Sequence, residues 1–232
     1  MKALLLAAGK STRIAPISGG IPKPLISFQG KSIIERNIAW LVSQGIDDLW
    51  INLHYRPESI MEHLGDGSSL GAKIHYSLER EILGTAGAVR HLREMLDSTC
   101  LIIYGDNLYD FSLEPFFQFH RESKASISIA LFDQTTHLHT GIAGGKVLLE
   151  GDEIRQFVEG NSCASFYVNT GVYLLEKEMI NEIPDNSFFD FGNDLFPKCI
   201  NNGIKICGYI IDGYCLGIDT PESYHKALDM FS

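Results

Sequence analysis

Short apolar runs alternate with helically spaced apolar positions through the first half of the chain. Residues 2–7 form the first such run. Ile33, Ile34, Ile38, Leu41 and Val42 then recur at helical intervals until Gly45, predicting a strand followed by a helix over about 32–44. The alternation continues with a strand at 49–53, a short helix at 58–64, a strand at 73–77, a helix at 85–96 and a buried strand at 101–104 closed by Gly105-Asp106. Such β-α-β order predicts a largely parallel sheet covered on both faces, with ligands bound outside the carboxyl ends of its strands.

Beyond residue 110 the rhythm changes. Segments 127–132, 145–149, 154–158 and 167–175 read as strands separated by short polar turns, which predicts an antiparallel or mixed extension of the same sheet, forming a lobe over the ligand. Helices near 176–183 and 193–201, a strand at 204–211 and a last helix opening with Pro221 behind Thr220 as its cap complete the pattern. No repeat or linker interrupts it. The 232 residues therefore read as one α/β domain, with a Rossmann-like, mixed but mostly parallel sheet flanked by helices.

Composition narrows the partners. A hydrophobic content of 45% is ample for a core, and a formal net charge of -10 would repel nucleic acid or an anionic membrane surface. The five cysteines, at 100, 163, 199, 207 and 215, form no C-x-x-C pair, so neither a disulfide framework nor a zinc cluster is expected, and a reducing cytoplasm fits. The run from Ala3 to Ala8 is too short for a signal-peptide core, and no stretch approaches the roughly 18 apolar residues that span a membrane.

Against that acidic background, the segment from Leu4 to Leu25 gathers Lys10, Arg13 and Lys23 on a glycine-bearing loop. Gly9 permits close backbone approach, Ser11 and Thr12 offer hydroxyls, Arg13 can fork onto phosphate oxygens, and prolines 16, 22 and 24 stiffen the rest of the segment. The chemistry suits a polyphosphate. It is not a Walker A loop, which needs a glycine five residues before Gly9, where Leu4 stands. Asp106, just past the carboxyl end of a buried strand, is placed to hold Mg²⁺ against phosphate oxygens, a turn aspartate being the alternative.

Together these residues resemble the sugar-1-phosphate nucleotidyltransferases, whose opening pattern is G-x-[GS]-T-R-[LI]-x-P, then P-K-P-L. Here it reads Gly9-Lys10-Ser11-Thr12-Arg13-Ile14-Ala15-Pro16 and Pro22-Lys23-Pro24-Leu25. The likeness continues in order through Leu83-Gly84-Thr85-Ala86-Gly87, Gly105-Asp106, Asn169-Thr170-Gly171-Val172-Tyr173 and the closing Ile218-Asp219-Thr220-Pro221-Glu222, covering nearly the whole chain. The resemblance implies a nucleotide-binding part over about 1–110 and a sugar-binding part over about 111–232. It also implies attack of a sugar 1-phosphate on the α-phosphorus of a nucleoside triphosphate, releasing pyrophosphate with Mg²⁺ as cofactor. Carried onto matching positions, the catalytic groups are Arg13, Lys23 and Asp106. Ala7, Ala8, Gly9, Ser11, Thr12, Arg13, Glu79, Gly84, Thr85 and Gly87 would meet the nucleotide, and Asn107, Glu159, Asn169 and Gly171 the sugar.

Two departures stand out. Gly217 occupies a position where the family has a metal-binding carboxylate; if the segment is extended, Asp219 points to the same side roughly 6.5 Å along and joins Asp106 as a metal ligand, a cap or turn role being the alternative. Gly160 stands where the family often has a lysine for the sugar phosphate, with Arg155 and Lys198 as replacement candidates. Glu79 could accept from the donor edge of guanine, which favours GTP and resembles short members acting on mannose or heptose 1-phosphate; a uridylyl- or cytidylyltransferase and a nucleotide-sugar-binding protein without turnover are the alternatives. Phe188, Phe189, Phe191 and Phe196 read as packing a helix against the sheet, with a homodimer face as the alternative, and His137 and His139 as a surface loop.

Overall fold

The computed structural model describes the chain except for residues 11, 97, 142–143, 161–163 and 232. Nine strands form one sheet, in the spatial order Lys73–Leu78, Asp48–Leu53, Lys2–Leu6, Cys100–Tyr104, Tyr167–Leu175, Ile127–Asp133, Ile206–Ile210, Glu153–Val158 and Lys146–Glu150. The first four are mutually parallel. Tyr167–Leu175 runs against both of its main neighbours, and the last two strands of the order, Glu153–Val158 and Lys146–Glu150, pair antiparallel, so the expected mixed extension is continuous with the parallel part. Alternate residues of the first strand feed opposite layers: Leu5 packs with Ile34, Ile38 and Leu41 of one face, Leu4 with Ala86 and Val89 of the other.

The site arises from strand order. From Lys2–Leu6 the chain first moves outward to Asp48–Leu53 and Lys73–Leu78, then returns to place Cys100–Tyr104 on the other flank, with Leu6 level with Tyr104. That reversal opens a crevice at the carboxyl ends. Gly105 closes its floor: its N–H donates to the Leu6 carbonyl at 2.9 Å, and a Cβ there would stand 3.0 Å from the same oxygen.

Helix Ile33–Ser43 supports the crevice from below. Ser32 and Glu35 form its capping box, and from its buried face Asn37 Nδ2 donates to the Asn107 carbonyl (2.9 Å) and Trp40 Nε1 to that of Phe111 (3.1 Å). A ribbon of Asn107–Asp110 paired antiparallel with Tyr214–Gly217 sets Gly217 opposite Asn107. That register carries Asp219 to the crevice.

Several elements differ from the sequence reading. Helix 85–96 is a helix at Gly84–His91 with a 3₁₀ turn at Arg93–Met95 after it; segment 176–183 is a 3₁₀ turn at Lys177–Glu182; and 193–201 begins as a π turn at Phe191–Leu195, with Pro197 accommodated in the first turn of Phe196–Asn201. Helix Leu113–Ser123 and the ribbon have no counterpart in the sequence pattern. The last helix starts at Pro221 with Thr220 as its cap, as expected.

Candidate active site

Two cavities share the crevice. The first, of about 230 Å³, is lined by Leu6, Ala8, Gly9, Asn52, Glu79, Ile82, Gly84, Thr85, Tyr104, Asp106, Phe188 and Asp190. One chain of hydrogen bonds ties its loops together: Ala7 N–H donates to Asn52 Oδ1 (2.8 Å), Asn52 Nδ2 to Glu79 Oε1 (2.7 Å) and Leu83 N–H to Glu79 Oε2 (3.1 Å). Glu79 is buried, yet each carboxylate oxygen keeps a second lone pair. A Cβ at Gly9 would meet nothing within 4 Å, so this loop leaves open space toward a ligand.

Three expected nucleotide contacts lie elsewhere. The Ala7 N–H is already committed to Asn52, which makes Ala7 an anchor of the loop. Thr12 opens an exposed 3₁₀ turn and does not line either cavity, while Ser11 lies outside the described residues. Gly87 faces away: a Cβ there would press on the Ser187 carbonyl at 3.0 Å, and Gly84, at φ +77°, would meet the Phe189 carbonyl at 2.6 Å. Both glycines admit a backbone from the far half of the chain.

That backbone is fastened to the amino end of helix Gly84–His91. Ala86 and Gly87 N–H groups both donate to the Phe189 carbonyl (2.9 Å), Phe189 N–H donates to the Leu83 carbonyl (2.8 Å), and Asp190 Oδ1 accepts from Thr85 N (2.9 Å) and Thr85 Oγ1 (3.0 Å). The helix end is thereby capped by a residue 105 positions along the chain. Sequence reasoning missed Asp190, whose only local signal is an acid in an Asp-Phe-Gly run.

The second cavity, of about 180 Å³, is polar, lined by Arg13, Tyr104, Asp106, Asn107, Gly144, Gly145, Glu159, Asn169, Thr170, Gly171 and Asp219. Every residue assigned to the sugar from sequence borders it. Asn169 shapes the turn, its Oδ1 accepting from Gly171 N–H (2.9 Å) and its Nδ2 donating to Tyr173 (2.7 Å). Gly171, at φ +82°, leaves room for the Tyr104 ring, which a Cβ would approach to 2.7 Å. Tyr104 thus forms a wall common to both cavities, its hydroxyl pushed up to about 12 by burial. Burial, and then the nearby Asp190 carboxylate, hold Glu159 above the usual carboxylate range.

Lys23 lies beneath the junction with its side chain 2% exposed. Its Nζ is 2.8 Å from both Asp106 Oδ2 and Asp219 Oδ1. Burial alone would lower its pKa, but the two carboxylates outweigh that and hold it above the ordinary lysine value. Arg13, two-thirds exposed, reaches Asp219 Oδ1 at 3.3 Å. Asp106 and Asp219 therefore converge on one cationic point, and among the described residues no group of three or more acids, histidines or cysteines gathers. Two carboxylates with room for phosphate oxygens suit Mg²⁺, which is usually held by one or two carboxylates and substrate phosphates. The position of Gly160 stays uncharged: Arg155 pairs with Glu150 and Glu153, and Lys198 with Glu182, and neither borders the cavity. His137 is structural, bonded to the Ile211 carbonyl and the Asp133 backbone.

Comparison with known proteins agrees with this architecture. The model of the family described as "Nucleotidyl transferase" matches residues 2–231. A UTP–glucose-1-phosphate uridylyltransferase from Synechocystis is 32% identical over 98% of this chain, which spans 62% of that relative's length. A D-glycero-alpha-D-manno-heptose 1-phosphate guanylyltransferase from Campylobacter jejuni is 29% identical, over 98% of this chain and 99% of its own. The crystal structure of HddC from Yersinia pseudotuberculosis superposes with a TM-score of 0.84 at 25% identity, covering 100% of this chain and 99% of that one. With a sheet reversal, a stiffened loop and a bridged aspartate pair in the places the motifs require, the chain belongs to the nucleotidyl transferase family.

Proposed function

We propose that this protein joins a nucleoside triphosphate, GTP, to a sugar 1-phosphate of the mannose or heptose type. The observation that carries the reading is the meeting of a partly apolar cavity and a polar, carboxylate-bearing one at Tyr104 and Asp106, with Lys23 beneath. In the reaction an oxygen of the sugar phosphate bonds to the α-phosphorus, the bond from that phosphorus to the bridging oxygen breaks, and pyrophosphate leaves with the electron pair. Two polyanions must come together, so positioning and charge neutralisation dominate.

Lys23 presents a buried ammonium to the phosphorus under attack, held in place by Asp106 and Asp219. Arg13, at the mouth of the polar cavity, has the exposure to track departing pyrophosphate. Asp106 and Asp219 would hold the divalent cation, which when bound supplies further neutralisation of phosphate charge. Glu159 and Asn107 offer hydrogen-bonding groups to sugar hydroxyls. The free lone pairs of Glu79 match the N1–H and amino donors of guanine, which favours GTP. The uridylyltransferase relative keeps UTP as the second reading.

Pyrophosphate release over GTP, UTP, CTP and ATP, each with mannose, heptose, glucose and N-acetylmuramate 1-phosphates, tests this. GTP with mannose or heptose 1-phosphate should be fastest. Faster turnover with UTP would overturn the base assignment. No turnover, with a nucleotide sugar still raising the melting temperature, would instead identify a binding protein.

A further inference from the structure

The phenylalanines after Ser187 do not share one fate. Phe191 and Phe196 are fully buried and Phe189 packs partly against the same core, as their spacing suggests, but Phe188 is 61% exposed and borders the first cavity. The sequence reading of Phe188 as core packing is therefore corrected. Ile82, 37% exposed, borders the same cavity from the loop that precedes Gly84.

Phe188 also stands on a fixed support. The residue after it is hydrogen-bonded in both directions to helix Gly84–His91 and its leading turn, through the Phe189 carbonyl and N–H, and Asp190 is bound to Thr85. Gly84 and Gly87 let this backbone approach more closely than any side chain would allow. An aromatic ring held this way loses little freedom when a ligand covers it, and hydration of its face is lost to any planar apolar partner. A triphosphate provides no such partner, and the residues assigned to the sugar border the other cavity; a heteroaromatic base does provide one.

From this geometry we infer that Phe188 stacks on the face of the nucleobase, with Ile82 bordering the same base, so that a residue of the sugar-binding half completes the nucleotide site. The inference rests on the nucleotide reading above. Stacking is tolerant of base identity but grows with ring area, so it adds affinity for purines over pyrimidines while Glu79 selects among edges.

The test is calorimetric binding of GTP, UTP and inorganic tripolyphosphate to the wild-type chain and to Phe188→Ala, Phe188→Leu and Phe188→Trp. Phe188→Ala should weaken GTP by roughly tenfold or more, UTP by less, and tripolyphosphate not at all. Phe188→Leu should fall between, and the indole emission of Phe188→Trp should change on adding GTP. In turnover, the KM for the triphosphate should rise while the KM for the sugar phosphate and kcat hold. Equal GTP affinity in wild type and Phe188→Ala would overturn the stacking role alone, as would a loss shared equally by tripolyphosphate. A wild-type chain that binds none of the nucleoside triphosphates would overturn the nucleotide reading and this inference together.

Discussion

The two cavities are built on opposite principles although they share a wall. The first is bordered by small and apolar groups, Ala8, Gly9, Ile82 and Phe188, with its one buried acid, Glu79, held in an internal hydrogen-bond chain. The second is bordered by ionisable and amide groups: Arg13 pairs with Asp219, Asp106 and Asp219 both pair with Lys23 buried beneath them, and burial raises Glu159. In the proposed reaction the first would recognise shape and a single edge, while the second would manage charge. Chemistry requires both, and Tyr104 and Asp106 are the residues that border both.

Asp106→Asn should therefore have the largest effect, lowering turnover at least a hundredfold with the melting temperature nearly unchanged. A rise in one substrate's KM with kcat unchanged would break the view of Asp106 as a shared wall. Lys23→Met should reduce turnover comparably and also destabilise the fold by about 2 kcal/mol, because two converging carboxylates lose their common partner. Added Mg²⁺ should raise the melting temperature of this variant more than that of the wild type; equal responses would mean that lysine and metal do not serve the same pair.

Asn52→Ala should act on the nucleotide side only, raising the KM for the triphosphate about tenfold, since Ala7 N–H and Glu79 each lose a partner. A rise in the KM for the sugar phosphate instead would erase the distinction between the cavities. The smallest effect is a pH slope. Glu159 has a raised pKa in the fold, so the folded state binds more protons and stability falls as pH climbs from the ordinary value of 4.5 through the higher folded one. Glu159→Gln should flatten that slope in melts between about pH 4 and 7.

Much of the polar cavity is legible in the sequence because its residues lie in contiguous motifs at strand ends: Asp106 with Asn107, and Asn169 with Gly171. The strands are legible too, since runs such as Ile127–Asp133 are buried on nearly every residue. The apolar cavity is harder to read. Phe188 sits in a Phe-Phe-Asp-Phe run in which Phe191 enters the core and Phe189 packs partly against it, and the backbone there is fastened to segment 84–87 by contacts distant in sequence. Gly87 reads as a nucleotide contact because a glycine signals close approach without naming what approaches. Asn52 and Asp190 act across loops, through partners 27 or more residues away, beyond any local pattern.

The bond from Thr85 to Asp190 spans 105 residues of chain. Closing so long a loop early in folding is entropically unfavourable, which predicts that the first cavity is finished after the parallel strands that frame it. During synthesis, a chain released only through the loop after Cys100–Tyr104 has the glycine-bearing loop around Gly9 and Asp106 but neither Phe188 nor Asp190. Under the proposed function, a nucleotide would meet its full site only once the last third of the protein is made and docked, and tight nucleotide binding would report that folding is complete.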